Sequence, residues 1–252
     1  MENVSIEYEQ CVIDTCVLAG KIMIESGSEM TRVDDTIKRI AKNAGMEDAK
    51  AYITITGIIM SGSRNIGAQV TPIEKREFDM EKIAKVNQLS RQFAAKSISI
   101  EDFHDNLVHI DDLVAKFPLW LQMLGAAMIS GPLVLVFRNN LKDVIITGIV
   151  GMLGWLVYYL LSKYIRVRVL SEFVAAIVIA VLAVLVVRFG LGTKVDDVIV
   201  GSLMPLVPGI PVTNSVRDAL SGNLISGPAR GIEALISAGA LGFGVAIVLH
   251  FM

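Results

Sequence analysis

Four runs of mostly apolar residues fill the second half of the chain: Pro118–Phe137, Val144–Leu161, Leu170–Arg188 and Ala234–Met252. Each approaches the ~20 residues an α-helix needs to cross the ~30 Å hydrocarbon core of a bilayer. Lipid offers no partner to a backbone N–H or C=O, so each run must close its hydrogen bonds within itself, as a helix. A fifth apolar stretch, Val198–Val212, is shorter and carries Pro205, Pro208 and Pro211. We read it as a broken span. The polar loops RNNLKD, SKYIRVR and FGLGTK follow the first three spans.

Charge divides the chain the same way. Residues 1–117 hold 14 Lys/Arg and 19 Asp/Glu, whereas residues 118–252 hold 9 and 6. The expected architecture is an α-helical integral membrane protein with about five transmembrane helices (118–252), preceded by a small cytoplasmic α+β domain (1–117). The net charge of −2 offers nucleic acid no basic surface. The opening MENVSIEYEQ has neither a basic nor an apolar signal region, so the polar domain should remain in the cytoplasm. Lys163, Arg166, Arg168, Arg217 and Arg230 then face inside, a small basic excess. Five spans in the inner or plasma membrane put Met252 outside. The bilayer is thus the first partner.

In the polar domain, apolar spacing predicts helices over Glu9–Ser26 and Glu29–Ala44, closed by Gly27 and Gly45. Ser28 is the expected cap of the second. AYITITGIIM (Ala51–Met60) reads as one strand, SGSRN as a turn and Ile66–Ile73 as a second strand. Asp79–Ser97 and Ile100–Lys116 read as helices, the last capped by Ser99 with Asp102. Cys11 and Cys16 are expected to pack as small hydrophobes. His104 and His109 share no helix face, and Asp34–Asp35 and Asp111–Asp112 suit solvated helix faces. No nucleophile, phosphate or metal motif occurs, so neither enzymatic activity nor a cofactor or metal is expected. The domain suits gating or docking.

Small residues mark close helix approach in membranes: Gly148, Gly151 and Gly154; Gly227 and Gly231; Ala234, Ala238 and Gly242. They leave room for a homo-oligomer or a second subunit.

The broken span carries the chemistry. Each proline lacks an N–H and crowds the carbonyl four residues back. Freed backbone must then face protein or a water-filled cavity, as at transporter substrate sites. A half-helix ending near Pro208 would offer carbonyls to an ammonium group. One starting near Thr213–Asn214 would offer N–H groups to a carboxylate, and a zwitterionic amino acid fits both poles. Pro208, Gly209, Thr213, Asn214 and Arg217 are the candidate substrate-binding residues. Asp218 and Glu233 are candidates for proton coupling, because a poorly hydrated carboxyl can cycle between charged and neutral forms. Asp196 and Asp197 suit the outer interface.

Two stretches carry a resemblance: AGKIMIESGSEMTRVDDTIKRIAKNAGM and PLVPGIPVTNSVRDALSGNLISGPARGIEALISAG. Both resemble motifs of the threonine/serine exporter (ThrE-like) family. In the second, a proline-broken helix leads to N-x-x-R-D and S-G-x-A-R-x-x-E-A. The resemblance implies an inner-membrane exporter of threonine and serine with a cytoplasmic N-terminal domain, in which Glu29 and Arg32 would gate or dock. Fused members of the family carry a second, smaller membrane module. This chain ends at Met252, so the resemblance implies the larger component of a split exporter, driven by the proton motive force and working with a second, smaller membrane subunit. Related split pairs are associated with succinate, which keeps dicarboxylate export open. A membrane-anchored regulatory or binding protein, or a membrane enzyme acting on lipid or peptide, are the other readings.

Overall fold

The computed structural model describes residues 6–62, 67–75, 77–113, 117–165 and 167–252. The chain forms two compact units. Met1–Ala115 with Ile210–Gly231 makes the first, and Lys116–Gly209 with Ile232–Met252 the second.

The first unit contains α1 (Ile6–Glu25), α2 (Met30–Asn43), the strands β1 (Lys50–Thr54), β2 (Gly57–Ser61) and β3 (Ala68–Pro72), then α3 (Met80–Ala94) and α4 (Ile100–Leu113). Helix α1 is central, with α2, α3, α4 and β2 packed around it. It accordingly buries Val12, Ile13, Cys16, Val17, Ile22 and Met23. Helix α2 is amphipathic: Met30, Val33, Ile37, Ile40 and Ala41 face this core, and Lys38 pairs with Asp34 at 2.6 Å on the outer face. Burial pushes the Cys16 thiol up to about 12, which fits an inert packing residue. Phe103 is fully buried, its ring 5.7 Å from that of Phe93.

Helix ends follow the expected chemistry in three places; one is Gly45, at φ +85°, which closes α2 with Met46 N donating to Ala41 O (2.9 Å). Gly27 lies at φ +86°, where Ser28 N donates to Met23 O (2.9 Å) and Gly27 N to Ile24 O (3.0 Å); this crossed pair closes α1. Ser99 Oγ accepts from Asp102 N at 3.1 Å while Asp102 Oδ2 accepts from Ser99 N at 3.3 Å, a reciprocal capping box. The sheet departs from expectation. Ala51–Met60 is not one strand but two, antiparallel, with Thr54 opposite Gly57. Thr54 Oγ1 fixes the reversal by accepting from Gly57 N (3.2 Å) and donating to Gly57 O (3.1 Å). A run of β-branched residues does not reveal a tight turn inside itself. The second expected strand is the third, Ala68–Pro72, paired with β2. Ile66 and most of SGSRN lie outside the described residues.

The second unit contains α5 (Leu119–Arg138), α6 (Val144–Ile165), α7 (Arg168–Arg188), α8 (Val195–Leu203) and a 3-10 turn at Met204–Leu206. Helix α9 (Gly209–Leu220) lies in the first unit, but for Gly209. Helix α10 (Ser226–Phe251) begins there and continues in the second. Among the described residues four helices, α5, α6, α7 and α10, are long and apolar enough to cross a membrane, or five spans if α8 and α9 with their break count as one. Helix α10 starts eight residues before the expected Ala234. Pro228 sits in its first turn, where a missing N–H costs nothing.

Small residues do set the packing of α6. A Cβ at Gly148 would stand 3.3 Å from Ala127 O, and at Gly154 2.4 Å from the Ile179 side chain. The Ala238–Gly242 stripe is different: Ala238 is exposed and a Cβ at Gly242 would meet nothing within 4 Å. A Cβ at Gly131 would stand 2.8 Å from the Val144 carbonyl oxygen, which cannot move without distorting α6. Gly131→Val should therefore destabilise by about 1–3 kcal/mol, read as a lower melting temperature of the detergent-solubilised protein.

One polar knot closes the ends of this bundle. Asp143 is wholly buried. It accepts from Thr193 N (2.8 Å), Thr193 Oγ1 (2.6 Å) and Asn140 Nδ2 (2.8 Å). It thereby ties the α5–α6 loop to the α7–α8 loop. Asp196 and Asp197 stand in the first turn of α8, Asp197 being buried and 3.2 Å from Asn140 Nδ2.

Candidate functional site

The turn between α1 and α2 turns its polar backbone toward α9. Ending α1 at Gly27 leaves the Gly27 and Ser28 carbonyls outside any helix, and α2 begins with unpaired N–H groups. Ser28, expected to cap α2, does not. Glu29 occupies the cap position and makes no side-chain cap bond. The acceptor comes instead from α9: Asp218 Oδ1 takes the Met30 N–H at 2.9 Å. An anion there also meets the positive end of the α2 dipole.

Asn214 and Asp218 are four residues apart on α9, hence on one face, and both are buried. Asn214 Nδ2 donates to Gly27 O at 2.9 Å. Arg230, 6% exposed, approaches from the first turns of α10. Its Nη2 donates to Ser28 O at 2.7 Å and its Nη1 lies 3.2 Å from Asp218 Oδ2. Ser226 Oγ accepts from Ile55 N at 3.1 Å, which adds the β1–β2 turn. At the rim, Arg217 pairs with Glu29, and Arg32 stands 3.8 Å from the same carboxylate. Asn223 Nδ2 reaches Thr31 Oγ1 at 3.4 Å. The α9–α10 hairpin is itself tight: Ser215 Oγ donates to Gly227 O at 2.9 Å, and a Cβ at Gly227 would stand 2.7 Å from Ala219 N.

The structure thus gathers Asn214, Arg217, Asp218, Glu29 and Arg32 together with Arg230. Thr213 is on the exposed side of α9, Glu233 is exposed on α10 beyond this cluster, and Pro208 and Gly209 stand at the start of α9. That start is earlier than expected. The helix begins at Gly209 rather than near Thr213, because Pro211 falls in its first turn, where no N–H partner is needed. The N–H groups of the opening turn therefore lie at Ile210 and Val212, Pro211 having none and Gly209 N donating to Val207 O (2.8 Å), while Thr213 and Asn214 contribute side chains. Between the 3-10 turn and α9, Val207 N closes the turn on Met204 O (3.3 Å) and Val207 O accepts from Gly209 N (2.8 Å), while Val207 and Pro208 lie outside both helices.

The buried charge of Glu172 escaped the sequence reading. Glu172 on α7 is 1% exposed. Arg168 Nε donates to its Oε1 at 2.7 Å, and Ser237 Oγ of α10 meets its Oε2. The available signal was a lone acid inside an apolar run, a functional candidate by default in a membrane helix. No group of three or more His, Cys, Asp or Glu side chains among the described residues could hold a metal ion.

Four helices among the described residues, long and apolar enough to cross a membrane, with a bent pair made of α8 and its 3-10 turn followed by α9, give the layout of a multi-pass membrane protein. The chain belongs to the ThrE family, described as "Putative threonine/serine exporter", whose profile matches residues 14–252. It is 22% identical over 247 residues to a "Probable threonine/serine exporter" of Mycobacterium tuberculosis, covering 95% of this chain and 46% of that protein. It is 21% identical over 259 residues to a "Threonine/serine exporter" of Corynebacterium glutamicum, covering 96% of this chain and 52% of that one. It is 20% identical over 245 residues to a "Probable succinate transporter subunit YjjP" of Klebsiella aerogenes, covering 96% and 94%. The chain spans about half the length of the two exporters and nearly all of the succinate transporter subunit. No solved structure matches it.

Proposed function

We propose that this chain is the larger component of an exporter that moves threonine and serine out of the cell, is driven by the proton motive force, and works with a second, smaller membrane subunit. The observation that carries the reading is the break at Val207–Pro208, followed at once by the α9 opening turn and the buried Asn214–Asp218 face. Lipid tolerates such a break only against protein or water. Helix α8 and its 3-10 turn rise roughly 20 Å, short of a ~30 Å hydrocarbon core, so this element ends inside the bilayer unless α9 completes a proline-broken fifth span.

In this reading residues 1–117 lie in the cytoplasm. Pro208, Gly209 and Thr213 line the substrate's path, with the α9 N–H groups toward its carboxylate. Asn214, Arg217 and Asp218 close on Glu29 and Arg32 as a gate. Asp218 stands in this gate, its Oδ1 on the Met30 N–H and its Oδ2 beside the Arg230 guanidinium, and is a coupling carboxyl as well. Glu233 remains a coupling carboxyl.

Coverage of the succinate transporter subunit over 94% of its length favours a second reading, dicarboxylate export, with Arg217 as a clamp for the second carboxylate. Efflux of labelled threonine, serine and succinate separates the two, in cells expressing this chain with and without a coexpressed smaller family subunit. The expected result is efflux of threonine and serine only with both subunits, abolished by an uncoupler. Succinate efflux alone would select the second reading. Robust transport by the purified chain alone in liposomes would refute the need for a partner.

A further inference from the structure

A carboxylate buried inside an apolar helix is costly unless paired and fully hydrogen-bonded. Glu172 meets that demand with two partners of different kinds. Arg168, one turn earlier on α7, has a side chain 45% exposed, so it can release Glu172 into water without any helix moving. A guanidinium supports only the ionised carboxylate. Ser237 Oγ, buried on α10, supports both forms, since a hydroxyl donates to a carboxylate and accepts from a carboxylic acid. The contact to α10 thus survives protonation by reversing its direction, while the contact to Arg168 does not.

Glu172 is the one acidic residue that α7 carries. Its neighbours on the buried face of α7 are Ser171, Ala175 and Ala176. Helix α6 packs against α7 and carries Tyr158, Tyr159, Lys163 and Tyr164 in its last turns. The ionisable groups of α8, Asp196 and Asp197, are in its first turn, which follows the opposite end of α7. Helix α10 carries Glu233 one turn before Ser237, and Arg230 seven residues before it.

We propose that Glu172 is a proton-binding site of the membrane bundle. It exchanges one proton with water on the Arg168 side while the Glu172–Ser237 hydrogen bond reverses, so that its charge is reported to α10. Only the transport arm of the test below rests on the exporter reading.

The test is pH-difference infrared spectroscopy of the purified full-length protein in lipid nanodiscs. The wild type should show a protonated-carboxyl C=O band appearing as pH falls. That band should vanish in Glu172→Gln and move to higher frequency in Ser237→Ala, which removes its hydrogen-bond partner. A band unchanged in Glu172→Gln overturns the proposal and leaves Glu172 a permanent ion pair with Arg168. Should Glu172→Gln fail to fold, Ser237→Ala carries the test, and an unmoved band there overturns it equally. In cells with both subunits, Glu172→Gln should lose gradient-driven efflux yet keep exchange of labelled for unlabelled substrate, and Glu172→Asp should restore efflux with a shifted pH profile. A wild type that exports nothing refutes the exporter reading while leaving the infrared result to decide this one.

Discussion

Replacing Arg230 with glutamine is expected to destabilise the folded protein by about 3–5 kcal/mol, the cost of leaving a buried charge uncompensated. Asp218 is fully buried and Arg230 nearly so. Without the guanidinium the Asp218 carboxylate keeps only the Met30 N–H, and the Ser28 carbonyl loses its donor. Two measurements check this on the full chain in detergent. The urea midpoint of unfolding should fall, and hydrogen exchange should accelerate at Met30 and the amides just after it, where Asp218 holds the α2 N-terminus. Combining Arg230→Gln with Asp218→Asn should recover part of the loss, because the stranded charge is then gone. A shift below ~1 kcal/mol in the single variant would mean that the pair is hydrated and the junction loosely held.

The contrast with Arg217 sharpens the point. Arg217 and Glu29 also form an ion pair, but the Arg217 side chain is 55% exposed. Exposed pairs contribute ~0–1 kcal/mol, so Arg217 is free to serve specificity at the rim while Arg230 secures the fold. Composition and spacing rank the two arginines alike. Only burial tells them apart.

What could be read from residues alone depended on how local the signal is. A span of apolar residues is dictated by lipid, and α5, α6 and α7 begin and end within three or four residues of the expected limits. The Gly27 closure and the Ser99–Asp102 box were legible for the same reason, since each is settled within six residues. The cap of α2 was not. The local serine was the sensible choice, yet the acceptor arrives from a residue 188 positions away, and no periodicity announces such a pairing. The β1–β2 turn was missed because it uses Ile55 and Thr56 between residues of strand character, with no Asn-Gly or Gly-Pro to mark it. In the candidate site, Asn214, Arg217, Asp218, Glu29 and Arg32 were each singled out from residue type or resemblance. Their meeting was not foreseen, nor was the role of the Gly27 and Ser28 carbonyls, because backbone acceptors leave no trace in sequence. Glu172 was visible as an acid in an apolar run, but Ser237, the residue that makes it interesting, looks like any small residue of a membrane helix.

If the junction is a gate, locking it should stop transport. Thr31 on α2 and Asn223 in the α9–α10 turn already touch, Asn223 Nδ2 standing 3.4 Å from Thr31 Oγ1, and Asn223 is only half-buried and Thr31 exposed. Cysteines at both positions, in a background with Cys11 and Cys16 replaced by alanine, should join through a short thiol-reactive crosslinker. A direct disulfide would need the Cβ atoms within about 4.5 Å, and the crosslinker removes that demand. The crosslinked protein should lose threonine efflux from cells that also express the smaller subunit, and a reducible crosslinker should restore it once thiol reductant is added. Each single-cysteine variant, treated the same way, should export normally, because rim contacts of this kind hold little energy. Undiminished export from fully crosslinked protein would mean that the α9–α10 hairpin stays on the α1–α2 turn throughout the transport cycle. The Asn214–Asp218–Arg230 cluster would then be a permanent structural joint, and the substrate's path would have to open elsewhere, at the break before α9.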